Sequence, residues 1–270
     1  MLAAERHAHI VAELERREAV RVVELASALG VSEMTIRRDI EHLEQQGLAR
    51  RVHGGAARPT EAGFSELGFA AKSEHRADAK SAIAARAIEL VRPGATIFVT
   101  AGTTTFAFAR LLTGIPDLTV ATNSLKVAEA LGEGGQETVR TILTGGERTP
   151  SEALVGPLAT STLRQLHVET CFMGVHGLHP RGGLTTPNML EAEANRAAAE
   201  AAARLVVLAD HSKYGLVSLA RILPLNAVDT LITDDGLSTN ALDELRQGVP
   251  DLIVAPLQDM PPGAAEQGTP

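Results

Sequence analysis

The chain has 270 residues, 44% of them hydrophobic and 3% aromatic, and carries a net charge of −8. Its length suits one large domain or two smaller ones. The single cysteine, Cys171, excludes an intramolecular disulfide framework and any cysteine-based zinc site. Residues 1–18 are too dense in charge for the apolar core of a signal peptide. The longest uncharged run, residues 93–109, holds a proline, two glycines and five threonines, too polar and too short to span a bilayer. The expectation is a soluble, cytoplasmic protein without membrane association.

The acidic average hides an uneven distribution. Residues 1–60 hold nine arginines and nine acidic residues, so the remainder of the chain carries the whole net charge. Within that neutral part, residues 37–58 are locally positive through Arg37, Arg38, Arg50, Arg51 and Arg58. A small basic surface on an acidic protein is compatible with a DNA-binding module attached to an acidic partner domain.

Three helices are predicted in quick succession. Residues 2–16 place Ile10, Val11 and Leu14 on one face. After a short extended piece at residues 20–22, a second helix over 23–29 closes at Gly30, suited to a left-handed C-terminal cap. Ser32 is an N-cap for a third helix over 33–46, ended by Gly47. The tight turn makes this a helix-turn-helix. At 100° per residue, Ile36, Ile40 and Leu43 form the buried stripe of the third helix. Met34, Thr35, Arg37 and Arg38 occupy the N-terminal part of its outer surface, the part from which recognition helices reach base edges. Residues 48–56 read as a β-hairpin wing whose Arg50, Arg51 and His53 suit phosphate or a minor groove.

Arg6 and Ile10, the run from Ser32 through Thr35, Ile36, Arg37, Arg38 and Asp39 to Ile40, then Leu43-Glu44, and Arg51-Val52-His53-Gly54-Gly55-Ala56 closely resemble the winged helix-turn-helix of the DeoR family of bacterial transcriptional regulators. The resemblance implies binding to double-stranded DNA through the third helix, with Thr35, Arg37 and Arg38 as the leading contact residues; Ser32, Met34, Arg50, Arg51 and His53 are further candidates by their placement. Asp39 also suits bracing a neighbouring arginine.

Residues 1–58 are thus a small α+β winged helix-turn-helix domain, and 59–72 read as a linker. From residue 73 an alanine-rich helix runs to Val91. Short apolar strands are expected at 96–100, 118–121, 139–143, 170–175, 205–209, 230–232 and 252–255, with helices near 105–113, 124–131, 157–165 and 190–203. That alternation signals an α/β, doubly wound and mostly parallel sheet over 73–255. Residues 256–270 read as a disordered tail.

Ligands of such sheets bind beyond the carboxyl ends of strands. There the chain places Gly102-Thr103-Thr104-Thr105 at a helix start, an anion cradle by its free N–H groups and hydroxyls. Thr122-Asn123-Ser124, Thr144-Gly145-Gly146 and Asp210-His211-Ser212-Lys213 follow other strands. These motifs, in this order, resemble the sensor domain of DeoR-type regulators, whose fold is similar to ribose-5-phosphate isomerase and which senses sugar phosphates. The resemblance implies phosphate at Gly102, Thr103 and Thr104, sugar hydroxyls at Asn123, close backbone approach at Gly145 and Gly146, and closure by Asp210 and Lys213. Arg196 stands where many members carry lysine and suits a phosphate clamp, although the two residues are not equivalent. Thr100 replaces a common acidic residue, and Lys80 precedes the sensor helix without an assigned role.

The expected function is a regulator of carbohydrate genes, a repressor rather than an activator, acting on operator repeats as a homodimer or homotetramer and needing no cofactor. An isomerase-like enzyme is the alternative. It would need a base such as Glu191, Glu193 or Asp210, but Glu191 and Glu193, two apart on a helix, point to different sides. A metal site at His176 and His179 lacks a second cluster with ligand spacing. Cys171 suits a core position rather than a nucleophile.

Overall fold

A computed structural model of the chain describes residues 3–17, 19–45, 48–52, 54–57, 69–73, 75–132 and 139–257. It begins with helix α1 (Ala3–Arg17), strand β1 (Ala19–Arg21), α2 (Val22–Leu29), α3 (Glu33–Gln45), β2 (Arg50–Val52) and β3 (Gly55–Ala57). Gly30 closes α2 in the left-handed conformation, φ +64°, and its N–H bonds the Ala26 carbonyl. Ser32 then caps α3, its Oγ accepting the Thr35 N–H at 3.2 Å. These two local solutions set the angle between α2 and α3. Ile36, Ile40 and Leu43, the expected stripe, pack with Ile10, Leu14, Leu25 and Leu29 in one core.

The extended piece near residue 20 is part of the wing. β1 pairs antiparallel with β3, and β3 with β2, giving a three-stranded sheet in the order β1-β3-β2. Gly55 is required by that pairing, since a Cβ there would stand 2.0 Å from the Val20 carbonyl oxygen.

The second unit starts with α4 (Phe69–Ser73) and α5 (Ala77–Ile88), so the last residues of the expected linker are helical. Then follow β4 (Thr96–Val99), α6 (Thr103–Leu112), β5 (Leu118–Thr122), α7 (Leu125–Gly132), β6 (Val139–Leu143), β7 (Glu147–Arg148), β8 (Leu154–Val155) and α8 (Pro157–Leu163). The chain continues through β9 (Val168–Gly174), β10 (Gly177–His179), β11 (Gly183–Thr186), α9 (Met189–Glu200) and β12 (Ala202–Leu208), then a 3-10 turn at His211–Lys213. It ends in β13 (Ala220–Leu223), a 3-10 turn at Leu225–Ala227, β14 (Thr230–Asp234), α10 (Thr239–Gly248) and β15 (Asp251–Ala255).

All seven expected strands join one parallel sheet in the order β15-β14-β12-β9-β4-β5-β6. The pleat sends Ile97, Val99 and Phe172 to one face with Ile83, Phe108 and Leu112. Phe98, Cys171 and Met173 go to the other face with Leu163, Leu205 and Val207. Both faces are covered, as a parallel sheet requires. Cys171 is fully buried, and burial pushes its thiol up.

Three features exceed the sequence expectation. β10, β11 and β13 form a small antiparallel sheet, β7 and β8 a hairpin, and α10 a further helix. The short strands lack a long alternating run, and α10 is polar except for residues such as Ala241 and Leu245, which are buried.

Strand order places the site. From β4 the chain builds outward through β5 and β6, then returns to β9 on the other flank of β4 and builds outward again. The carboxyl ends of β4 and β9 therefore flank a topological switch point, where successive connections diverge and leave a crevice.

Candidate nucleic-acid interface and effector cleft

The outer surface of α3 carries the expected residues. Met34, Arg37 and Arg38 are exposed and Thr35 is half-buried. Ser32 is exposed and engaged as the cap, and its Oγ lies 2.9 Å from the Thr35 Oγ1. Arg37 pairs with Glu33 at 3.2 Å, an exposed contact of little stabilising weight. Arg50 and Arg51 are exposed on β2, and the Arg51 N–H donates to Glu44 Oε1 at 2.9 Å, tying wing to helix. His53 lies outside the described residues.

A cleft opens at the β4/β9 switch point. Gly102, Thr103, Thr104 and Lys213 line it, joined by Phe69, Lys72, Ser151, Gly174, His176, Thr186, Glu191 and Asn195. Gly102 is the N-cap of α6 and supplies no capping side chain, so the first N–H groups of a ten-residue helix face this space. Two lysines stand at the same cleft, Lys72 from α4 and Lys213 from the turn after β12. A helix N-terminus, threonine hydroxyls and two ammonium groups together suit a phosphate or carboxylate.

The other expected effector residues lie outside the cleft lining. Asn123 is buried, accepts the Ala101 N–H at 3.1 Å and donates to the Leu154 carbonyl at 3.2 Å. It ties the end of β5 to its neighbours. Gly145 and Gly146 have positive φ, but the close approach at Gly146 is to the chain itself: a Cβ would stand 2.4 Å from the Val155 carbonyl oxygen. Arg196 donates to the Arg221 carbonyl at 2.6 Å, tying α9 to β13. Asp210 is buried and accepts the Ser212 N–H at 3.0 Å. Burial pushes its carboxyl up, but Lys213, Ser212 and Arg76 outweigh that and hold it below the usual carboxylate range. Thr100 is also structural, its Oγ1 accepting the Gly174 N–H at 3.0 Å across β4 and β9.

Sequence reasoning missed Lys72, Ser151, Thr186 and Asn195. Lys72 falls in the expected linker, while Ser151 precedes the short strand β8, Thr186 ends β11 and Asn195 lies within α9, none of them in a loop after an expected sheet strand.

Lys80 acquires a role. Its buried ammonium donates to the carbonyls of Lys72 and Ser73 at the C-terminal end of α4 and of His75 just beyond it. Burial lowers its pKa to about 8; Asp210 opposes the shift, while Lys213, Arg76 and Lys72 add to it. Phe69 fixes the other end of α4, meeting Phe106 edge-on with centroids 5.4 Å apart and bonding the Pro150 carbonyl through its N–H. Next to this cluster, Arg76 donates to His211 Nε2, which leaves Nδ1–H to donate to buried Asp234.

Family comparison fits this two-part geometry. Residues 6–62 match the DeoR-like helix-turn-helix domain, and residues 75–235 match the DeoR C-terminal sensor domain. The chain belongs to the DeoR family. A putative aga operon transcriptional repressor of Escherichia coli O157:H7 is 35% identical over 253 residues, 93% of each chain. The transcriptional regulator GlpR of Haloferax volcanii is 38% identical over 246 residues, 91% of this chain and 95% of its own. An L-fucose operon activator of Haemophilus influenzae is 34% identical over 220 residues, 81% of this chain and 87% of its own. Ribose 5-phosphate isomerase A of Methanocaldococcus jannaschii overlaps 50% of this chain and 53% of its own at 17% identity and a TM-score of 0.37. That likeness carries no weight for the site. In this DeoR-family chain the helix-turn-helix match runs from Arg6 within α1 through β3, and the sensor match contains the cleft except for α4.

Proposed function

We propose that this DeoR-family regulator represses carbohydrate genes and is released, or re-seated on its operator, by a phosphorylated sugar or sugar derivative. The observation that carries this reading is the uncapped N-terminus of α6 facing Lys72 and Lys213 at the β4/β9 switch point. An anion is the complementary ligand for that arrangement. The relatives named for the aga and L-fucose operons support a sugar pathway, and the former supports repression.

On the DNA side, Met34, Thr35, Arg37 and Arg38 enter the major groove on α3, while Ser32, Arg50, Arg51 and His53 contact backbone. A homodimer or homotetramer in the cytoplasm matches operator repeats to protein symmetry. The cleft senses and does not turn over its ligand. Asp210, one of the carboxylates considered as a base, is buried as a cap, and Thr100 stands at the end of β4 without an ionisable group.

Signal transfer runs through α4. Phe69 and Lys72 line the cleft, and α4 is the first described element after the DNA-binding unit. A ligand gripping Lys72 changes the hold on α4 and hence on the chain leading to the operator-binding helices, provided it binds one arrangement better than the other.

Thermal unfolding of the full chain with matched sugars and sugar phosphates tests the reading. A ligand at about 100 times its Kd adds roughly 2.7 kcal/mol. Stabilisation by a phosphate and not by its parent sugar supports it; no stabilisation by any phosphate refutes the sensor half.

A further inference from the structure

We infer that Glu191 determines which phosphates the cleft accepts: its carboxylate receives the hydroxyl groups of a neutral polyol or sugar chain and repels phosphorylated sugar acids. The inference rests on the proposed phosphate end at α6 and adds the chemistry of the Glu191 part of the same lining.

Glu191 lies in the first turn of α9 and lines the same cleft as Gly102, Thr103 and Lys213. Three hydroxyls from separate segments converge on it. Thr149 donates to Oε1 at 2.9 Å and Thr186 to Oε2 at 3.2 Å, and Ser151 also donates to Oε1. The Asn188 cap accepts the Glu191 N–H at 3.2 Å and holds the start of the helix. The carboxylate is thus held in position before any ligand arrives.

That hydrogen-bond pattern fixes the polarity of the wall. A carboxylate only accepts, and Thr149, Ser151 and Thr186 are each placed to donate to Glu191, with Thr149 and Ser151 also 2.9 Å from each other, either one able to donate. The wall therefore offers lone pairs and negative charge to the cleft, whereas the α6 end offers N–H groups and the two lysines offer positive charge. A ligand spanning both needs an anion at one end and donors at the other. Sugar and alditol phosphates have that form. Aldonate phosphates bring a second carboxylate toward the first, and like charges at contact distance disfavour that pose.

Calorimetric titration of the full-length protein decides the matter, using inorganic phosphate, a panel of aldose, ketose and alditol phosphates, and the matching phosphorylated sugar acids. Wild type is expected to bind at least one neutral member more tightly than inorganic phosphate and at least tenfold more tightly than its acid counterpart. Glu191→Gln should reduce that preference about tenfold while changing affinity for inorganic phosphate less than twofold. Glu191→Asp, which keeps the charge on a shorter arm, should lose sugar-phosphate affinity yet still reject the acids, and it serves as the second variant if Gln disturbs α9. An unchanged preference in both variants overturns the inference and leaves the phosphate end standing. Wild type that binds inorganic phosphate but favours no neutral member also overturns it. Absence of any phosphate binding overturns the proposed function of the cleft together with this inference.

Discussion

Arg6 on α1 holds Asp39 on α3 across 33 residues through two hydrogen bonds, Nε to Oδ2 at 2.8 Å and Nη2 to Oδ1 at 3.0 Å. His7 adds a third contact to Oδ1 at 3.0 Å. Asp39, the buried one of the four acidic residues of α3, therefore faces its own domain, and the neighbouring Arg37 and Arg38 are exposed, Arg37 beside Glu33. Burial pushes Asp39 up, but the Arg6 and His7 hydrogen bonds outweigh it and hold the carboxyl below its ordinary value.

Asp39→Ala should loosen the seat of α3. In the full chain, amide exchange in α1 and α3 speeds up, the melting of this unit falls by about 5 °C, and operator affinity drops while the sensor is untouched. The sign with pH follows from the lowered carboxyl. The stabilisation is complete above the ordinary value of 3.8 and is lost as pH falls through the lower folded value. Wild-type protection of α3 in the Asp39→Ala protein would show the pair to be dispensable.

Much of this arrangement is legible in the sequence because its causes are local. Gly30, Ser32 and the spacing of Ile36, Ile40 and Leu43 are read at a distance of a few residues, and the seven sheet strands are continuous apolar runs. The cleft is less legible. Asn123 reads as a ligand residue because a polar side chain after a strand looks the same whether it meets sugar or a neighbouring carbonyl, and only strand order decides. Lys72 is hidden because a five-residue helix has no measurable periodicity. Glu191 stands out only when Thr149, Ser151 and Thr186 arrive from other segments. Arg6 is visible as a motif residue and Asp39 as a brace for an arginine, but that the two meet across 33 residues is not.

Arg38 and Arg50 should fail differently. Arg38→Ala is expected to weaken operator binding about tenfold and to relax sequence preference, the mark of a lost base contact. Arg50→Ala should weaken binding to all sequences alike and reduce the salt slope by about 0.9, the mark of a lost phosphate contact. Fluorescence anisotropy against operator and random DNA at several salt concentrations separates the two. Equal loss on both DNAs for Arg38→Ala would remove it from base readout.

Gly146→Ala tests whether this glycine serves the ligand or the fold. At φ +122° with a backbone oxygen 2.4 Å from the new Cβ, alanine has to displace β8. The expected loss is about 2 kcal/mol in urea unfolding without any ligand. A variant of full stability with an impaired effector response would return Gly146 to the ligand.

Lys80 should leave a signature in the alkaline range. Its pKa is about 8 in the folded protein against 10.5 for an ordinary lysine. Between those values the unfolded chain holds a proton that the folded chain has released, so stability rises with pH across this window. The contribution is fully present above 10.5 and is lost as pH falls through about 8. It amounts to something on the order of 3 kcal/mol. Lys80→Met removes the titrating group together with the donors to the α4 carbonyls. The variant should therefore lack the rise between pH 8 and 10.5, and exchange in α4 should quicken at every pH. All other groups are common to both proteins, so the difference between wild-type and variant unfolding curves is the quantity to measure. Parallel curves would mean that Lys80 titrates as a surface lysine and that α4 is held by Phe69 alone.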